Sequence, residues 1–423
     1  MQTDAERGAL AGRSMVIVGA GAIGLAAGYY SQRLGAAVTV VDEGQAGQGA
    51  SLGNAGWIVP SLSSPMPGPG MMRDTAKMLT RKDSPLYIKP RLSPSFLRWF
   101  WGFSRACRAS THDAGVEALA DLNARTMQLF DELGRDAVDF EMYQEGLLFA
   151  FLSRSAAEEE LGHLRFLGSH GYDVPPMVLP GEGLREIEPS LSSNVLGGFL
   201  LPAERHLDPA TFTAGLAKRI GELGGGFCEE RVVVGFDVAD RRVTGVQTTD
   251  GTIEADIVLI AAGAHSAHVM KPLGLRLPLE GGKGYSFTVS TQSTPVHPLY
   301  LGEAKIGCSP LPHGLRIAGT MEMSGLNHDL HQRRIDVMVR GARRYLVDPL
   351  DEPPTSCWTG LRPMLPDGLP VMDRLDPFQN VFLSTGHGTL GITLAPAAGI
   401  AMADYMATSK RPDVLAPFVW SRL

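Results

Sequence analysis

The chain opens with a change of hydrophobic period. Residues 15–18, Met-Val-Ile-Val, are uniformly apolar, as in a parallel strand buried on both faces. From residue 22 the apolar positions recur at helical spacing as far as Leu34, and Gly35 stops the pattern. Residues 38–41 are again largely β-branched and are closed by Asp42 and Glu43. The spacing predicts strand, helix and strand, a βαβ unit. Residues 14–32 carry no charge, which by hydropathy alone also suits a membrane span or a signal peptide. The change of period, and Gly19, Gly21, Gly24 and Gly28, argue against both.

Residues 44–70 are rich in Gly, Ser and Pro and too long for an ordinary connector. Residues 71–135 read as helical and contain an aromatic run, Ser95-Phe-Leu-Arg-Trp-Phe-Trp-Gly-Phe103. Residues 140–151 and 195–201 read as strands. Asp208-Pro209 is an N-cap followed by proline at the first helical position. Phe212, Leu216, Ile220 and Leu223 share one face of that helix, which Gly224-Gly-Gly226 ends. Strands are expected over 231–238, 243–249 and 257–262, with a turn at Asp250-Gly251. Residues 284–322 are strand-like and 329–346 helical. A strand at 381–384, a Gly-rich turn at 386–391 and an apolar helix at 392–406, interrupted by Pro396, complete the pattern. Residues 1–13 read as a loose tail.

Composition sharpens this picture at one point. Glycine supplies 50 of 423 residues, about 12% against a usual ~7%. The glycines cluster without a Gly-X-Y period, which excludes collagen and suggests loops built for close backbone approach. With 44% hydrophobic and 20% charged residues the chain is globular and able to bury a large core. A net charge of -7 argues against a nucleic-acid binder. The basic run Arg333, Arg334, Arg340, Arg343 and Arg344 interleaves with Ile335, Met338 and Val339 at helical spacing and reads as a solvated helix face. Cys107, Cys228, Cys308 and Cys357 form no C-x-x-C, so no metal site is expected and a reducing, cytoplasmic setting is the default.

Gly19-Ala-Gly21-Ala-Ile23-Gly24 follows a strand and opens a helix, the context a dinucleotide fingerprint requires. Gly19 permits the tight turn. Gly21 lets the backbone approach a pyrophosphate at the positive helix end, and Gly24 lets helix and strand pack closely. Asp42, 18 residues after Gly24, suits a ribose diol. The fingerprint alone does not separate NAD from FAD.

Six separated segments together resemble the FAD-dependent amino-acid oxidoreductases of the D-amino acid oxidase/glycine oxidase type, and within them the D-amino acid dehydrogenase branch. They are the fingerprint with Val38-Thr-Val-Val-Asp42; Gly49-Ala-Ser-Leu-Gly-Asn-Ala-Gly56; Ile260-Ala-Ala-Gly-Ala-His-Ser266; Gly282-Lys-Gly-Tyr-Ser286; Gly360-Leu-Arg-Pro-Met-Leu-Pro-Asp-Gly-Leu-Pro370; and Gly386-His-Gly-Thr-Leu-Gly391 with Thr393. The resemblance spans about residues 14–410. It implies an α/β plus α+β fold, a Rossmann-like FAD-binding domain interleaved with an antiparallel-sheet substrate domain carrying helices. Residues 14–66, 190–276 and 356–423 would form the first, and 67–189 and 277–355 the second.

The resemblance also implies site residues. Ser51, Asn54, Ala55 and Gly56 would approach the flavin, and Glu43 would join Asp42 near the ribose. Val233 would place its backbone against adenine, with Ala262 and Gly263 near the pyrophosphate or flavin. Gly360, Gly386, Gly388, Thr389, Leu390, Gly391 and Thr393 would line the flavin edge, where backbone N–H groups stabilise charge on the reduced ring. Arg362 would clamp a substrate carboxylate, its bland alternative being an ion pair with Asp367 or Asp373. Tyr285 is a further candidate for a carboxylate or flavin contact, and His387 a support of the flavin loop or a proton-transfer group. Some relatives carry an arginine where Thr389 stands, and others attach flavin through a cysteine in the region matching Gly360, so the expected FAD is non-covalent.

The expected reaction is hydride transfer from Cα of an amino acid to flavin N5, giving an imino acid and then a 2-oxo acid. A secondary amine such as D-proline, hydroxyproline, sarcosine or glyphosate is the alternative substrate. A quinone or other carrier, or O2 with Lys283 or Lys305 near the flavin, is the expected electron acceptor. The aromatic run suits a buried core or a peripheral membrane contact. Outside this class, Gly49-Ala-Ser51-Leu-Gly53 matches the hydrolase pattern G-x-S-x-G but lacks a preceding strand, and a non-catalytic nucleotide-binding protein remains the other reading.

Overall fold

The computed structural model describes residues 8–73, 75, 84–89, 91 and 93–423. Residues 1–7 of the expected tail, and 74, 76–83, 90 and 92 of the expected helical stretch, lie outside the described residues.

Two large sheets organise the molecule. The first has six strands in the order Gly226–Cys228, Ala37–Val41, Ser14–Val18, Ile257–Ile260, Val381–Thr385 and Val371–Arg374. The first five are parallel and the last is antiparallel. The uncharged stretch 14–32 therefore folds as the central strand and the helix Ala22–Arg33. No helix among the described residues is long and apolar enough to cross a membrane. Strands buried on both faces need covering layers. The helices Ala22–Arg33, Pro209–Glu222 and Gly391–Thr408 share one face of the sheet in a single core. An added Cβ at Gly399 would lie 2.8 Å from the backbone of Ala26, so glycine sets the approach of two of these helices. The last helix continues through Pro396, which is buried in it.

The second sheet has nine strands. Its path runs Thr355–Met364, Glu280–Val289, Gly314–Met323, Ile306–Leu311, Leu299–Leu301, Leu147–Phe151, Gly197–Leu201 and Leu179–Pro180, with Leu86–Ile88 pairing beside Gly314–Met323. It is antiparallel apart from two parallel pairings, Leu299–Leu301 with Leu147–Phe151 and Leu86–Ile88 with Gly314–Met323. The helix Gln332–Ala342 covers one face with Ile335 and Met338. A small sheet of Trp57–Ile58, Arg205–Leu207 and Met142–Tyr143 lies apart from both.

Space divides the chain differently from the expected segments in three places. The helices Ala109–Asn123 and Thr126–Arg135 bury Leu119, Leu122, Leu129 and Phe130 in the core of the first sheet. Conversely, Gly197–Leu201 and Thr355–Met364 belong to the second sheet. Amphipathic helices declare an apolar face, not the partner that covers it. The aromatic run forms the helix Pro94–Ala106, capped by the Ser93 hydroxyl. It buries Phe96, Trp99 and Phe103, whereas Trp101 is 61% exposed.

Candidate active site

A cavity of about 760 Å³ lies between the two large sheets. The fingerprint turn forms one wall. Gly19 has φ +112° and would place a Cβ 2.5 Å from the Ala261 carbonyl oxygen. At Gly24 a Cβ would overlap the Gly19 carbonyl. Asp42 accepts hydrogen bonds from Ala20 N (2.7 Å) and Gly44 N (2.8 Å), tying the second strand to the turn. The Ser51 hydroxyl accepts from Ala22 N at 3.1 Å, at the start of the helix. That bond, and the loop on which Ser51 sits, give it a capping role and no nucleophile elbow.

The flavin-loop segment 49–56 is held from the second sheet. Arg316 donates to the carbonyls of Leu52 (3.0 Å) and Asn54 (3.2 Å), and Ser309 donates to that of Ala55 (2.6 Å). The Thr393 hydroxyl donates to Trp57 O and accepts from Val59 N, fastening the same segment to the C-terminal helix. The Trp358 indole packs across Gly53 and Gly360, where a side chain would collide with it.

Of the expected cofactor contacts, Gly19, Gly21, Ile23, Asp42, Glu43, Ser51, Asn54, Ala55, Val233, Ala262, Gly263, Gly360, Gly388, Thr389, Leu390, Gly391 and Thr393 line the cavity. Gly24, Gly56 and Gly386 do not; their missing side chains clear the Gly19 carbonyl, the Leu207 carbonyl and Leu365. At Gly263 and Gly391, by contrast, a Cβ would meet no protein atom within 4 Å. Bare backbone on the cavity wall, a helix N-terminus and an acid ending the second strand together fit a dinucleotide such as FAD. None of the four cysteines lines the cavity, and Cys357 is exposed.

Arg362 lines the cavity and is partly buried. It donates to the Thr320 carbonyl at 2.8 Å and has no carboxylate partner among the described residues. Desolvation lowers its pKa to about 10. The alternative ion pairs are taken: Asp367 binds Arg422 (2.7 Å) and Asp373 binds Arg411 (2.8 Å). Gly284, on the neighbouring strand two residues along from the register partner Gly282, leaves the space the guanidinium occupies. Thr320, which receives Arg362, has φ +60°, a conformation uncommon for a β-branched residue and a mark of functional sites.

Tyr285 lines the cavity, as a flavin or carboxylate contact would require, and it has a second part in the core. The pleat turns its ring into the core with Phe287 and Met338, and its hydroxyl donates to Glu322 at 2.9 Å. Lys283, on the same side of the strand, is fully buried and bound to Glu322 at 3.0 Å, so it is no cavity residue. Lys305 does line the cavity and donates to the Tyr300 hydroxyl at 3.0 Å. His387 is buried on the cavity wall, and desolvation lowers its pKa to about 3. It stays neutral, and its Nε2 has no hydrogen-bond partner. Trp358, Arg316, Ser309, Tyr300 and His328 escaped the sequence reading, having no motif spacing to mark them.

The fold and the cavity are those of a dinucleotide-binding protein. The profile of the FAD dependent oxidoreductase (DAO) family matches residues 14–405, and the chain belongs to that family. It is similar to the D-amino acid dehydrogenase of Cereibacter sphaeroides, 33% identical over 418 residues, 95% of this chain and 93% of that one. It is also similar to the D-amino acid dehydrogenase of Bradyrhizobium diazoefficiens, 31% identical over 408 residues, 95% and 96% of the two chains. Among solved structures, glycine oxidase from Geobacillus kaustophilus superposes with a TM-score of 0.76 at 21% identity, covering 97% of this chain and 99% of that one. L-proline dehydrogenase from P. horikoshii gives 0.73 at 18%, covering 97% and 98%. These two likenesses concern the fold.

Proposed function

We propose that the chain oxidises D-amino acids to imino acids, which water then converts to 2-oxo acids. The observation that carries this reading is Arg362, a partly buried cation on the cavity wall without a carboxylate of its own among the described residues. A substrate carboxylate supplies the missing charge in a bidentate pair and so fixes the orientation of Cα. The FAD, held non-covalently by the turn at 19–24, Asp42, the 49–56 loop and the backbone at 388–391, supplies the two-electron acceptor when bound. Trp358 and the apolar walls exclude water, which strengthens the Arg362 contact. His387, neutral and lacking a partner for Nε2, supports the wall beside the 388–391 backbone.

The electrons leave to a membrane-borne carrier. Leu97 and Trp101 are 51% and 61% exposed on the outer face of the aromatic helix, and Arg105 lies over the Trp101 ring at 4.5 Å. Between residues 84 and 112 the sequence has no acid, within a chain of net charge -7; of its basic residues Lys89, Arg98, Arg105 and Arg108 are exposed, while Arg91 is paired with Glu280 at 2.8 Å. Apolar tips among basic side chains suit an anionic lipid surface. The test of the reaction is anaerobic bleaching of the bound flavin by a panel of D-, L- and N-alkyl amino acids. D-amino acids are expected to bleach it, and dye reduction to exceed peroxide formation. Bleaching by N-alkyl or L-amino acids alone would overturn the assignment.

A further inference from the structure

The geometry points to His328 as the group that takes the proton from the substrate ammonium, and to the buried Lys283–Glu322 pair as the device that positions it. The inference rests on the amino-acid oxidation proposed above. A Cα–H can leave as hydride only when the neighbouring amine is neutral, so a zwitterionic substrate must first lose one proton.

His328 lines the cavity and is exposed, which places it where the cavity meets solvent. Its Nδ1 lies 3.3 Å from the Thr359 carbonyl oxygen. A carbonyl oxygen only accepts, so Nδ1 carries the hydrogen and Nε2 keeps its lone pair in the neutral ring. Thr359 immediately precedes Gly360 and lies three residues before Arg362 on one strand, so the acceptor and the carboxylate clamp share a rigid element.

The loop carrying His328 is held on both sides. Its carbonyl accepts from the Thr359 hydroxyl at 3.1 Å. The residues flanking it, Asn327 and Asp329, are both gripped by Lys283, whose ammonium donates to Asn327 Oδ1 at 2.8 Å and to the Asp329 carbonyl at 2.9 Å. Lys283 is fully buried, and Glu322, 2% exposed, balances it. Tyr285 completes the cluster by donating to Glu322. A buried ion pair of this kind is a weak source of stability, and fixing one conformation is its better-attested use. The charged groups around the loop are Lys283 on one strand, Glu322 on the next, His331 and Arg334 beyond the loop, Asp329 within it, and Arg362 on the shared cavity wall. No carboxylate lies within 4 Å of the His328 ring among the described residues.

The step balances simply. The ammonium N–H bond breaks, its electrons stay on nitrogen, and the proton forms an N–H bond at Nε2. The imidazolium returns the proton to water at the cavity mouth.

The test follows flavin bleaching in the holoenzyme by rapid mixing with D-alanine, anaerobically, across pH. His328→Gln is expected to slow bleaching about 10²-fold near neutral pH, as for a lost general base. The deficit should shrink as pH approaches the ionisation of the amine, because substrate then arrives already neutral. Thr359→Val, which loosens the loop without unpairing a buried charge, should give a smaller deficit with the same pH trend. Flavin content should match wild type in both. A His328→Gln rate equal to wild type, or a deficit that does not vary with pH, would overturn the inference while leaving the proposed reaction intact. A wild-type flavin that no amino acid bleaches removes both.

Discussion

Replacing Arg362 by methionine should have opposite effects on substrate use and on stability. Burial lowers the guanidinium pKa from 12.5 to about 10, which at ~1.4 kcal/mol per pH unit is a penalty of about 3 kcal/mol on the charged form. The bond to the Thr320 carbonyl returns roughly 1.5–3 kcal/mol. Methionine removes both and fills most of the volume, so the substrate-free protein should unfold at an equal or higher temperature. Substrate use should suffer. Removing one partner of a buried, hydrogen-bonded charge pair costs about 2–5 kcal/mol, a loss of roughly 30-fold to several-thousand-fold in kcat/KM. The assay is dye-coupled turnover of the holoenzyme with D-alanine, paired with thermal unfolding followed by release of flavin fluorescence. A kcat/KM within about threefold of wild type would refute the carboxylate clamp. A sharply lower unfolding temperature would refute the reading of Arg362 as a cation without a carboxylate partner in the substrate-free protein.

Asp42→Ala strips the acceptors from Ala20 N and Gly44 N. It should weaken FAD retention on gel filtration by about tenfold or more, at ~1.5–3 kcal/mol for each charge-assisted bond, and full retention would refute the role of that acid. Glu204 is 3% exposed, and burial raises its carboxyl to about 7 from a model-compound 4.5. The folded state thus holds a proton that the unfolded state has lost, so stability should fall as pH rises from about 4.5 to about 7, by about 3 kcal/mol. Glu204→Gln should flatten that slope in urea unfolding, and an unchanged slope would exclude Glu204 as its source. Leu97→Glu with Trp101→Glu should abolish co-sedimentation with vesicles of anionic phospholipid while dye-coupled turnover persists. Vesicles that leave the wild-type protein in the supernatant would remove the membrane face.

The βαβ unit was legible because its three pieces have different periods and glycines at positions where a side chain collides, as at Gly24. The Asp208 cap and the following helix were legible for the same local reason. The strand Thr355–Met364 was not, since Pro363 and its polar residues break the β pattern. It is the edge of its sheet, where a missing N–H is tolerated. The site divides similarly. Glycine turns and Arg362 announce themselves by motif, but the side of the strand that Tyr285 faces depends on register against its neighbours. His328 becomes visible only when Lys283 and Thr359, remote in sequence, fix its loop.

The central parallel strand, Ser14–Val18, pairs with Ile257–Ile260 on one side, and that strand in turn pairs with Val381–Thr385. Neighbours so far apart along the chain make for slow folding, and during synthesis the sheet waits for its partners. Val381–Thr385 and the helix Gly391–Thr408 leave the ribosome long after the fingerprint turn. Until they dock, the turn at 19–24 stands on a half-built sheet with apolar strand faces uncovered. The cofactor-binding wall is thus among the last surfaces to be completed. FAD supply during expression should therefore govern how much nascent chain reaches the native state and how much aggregates.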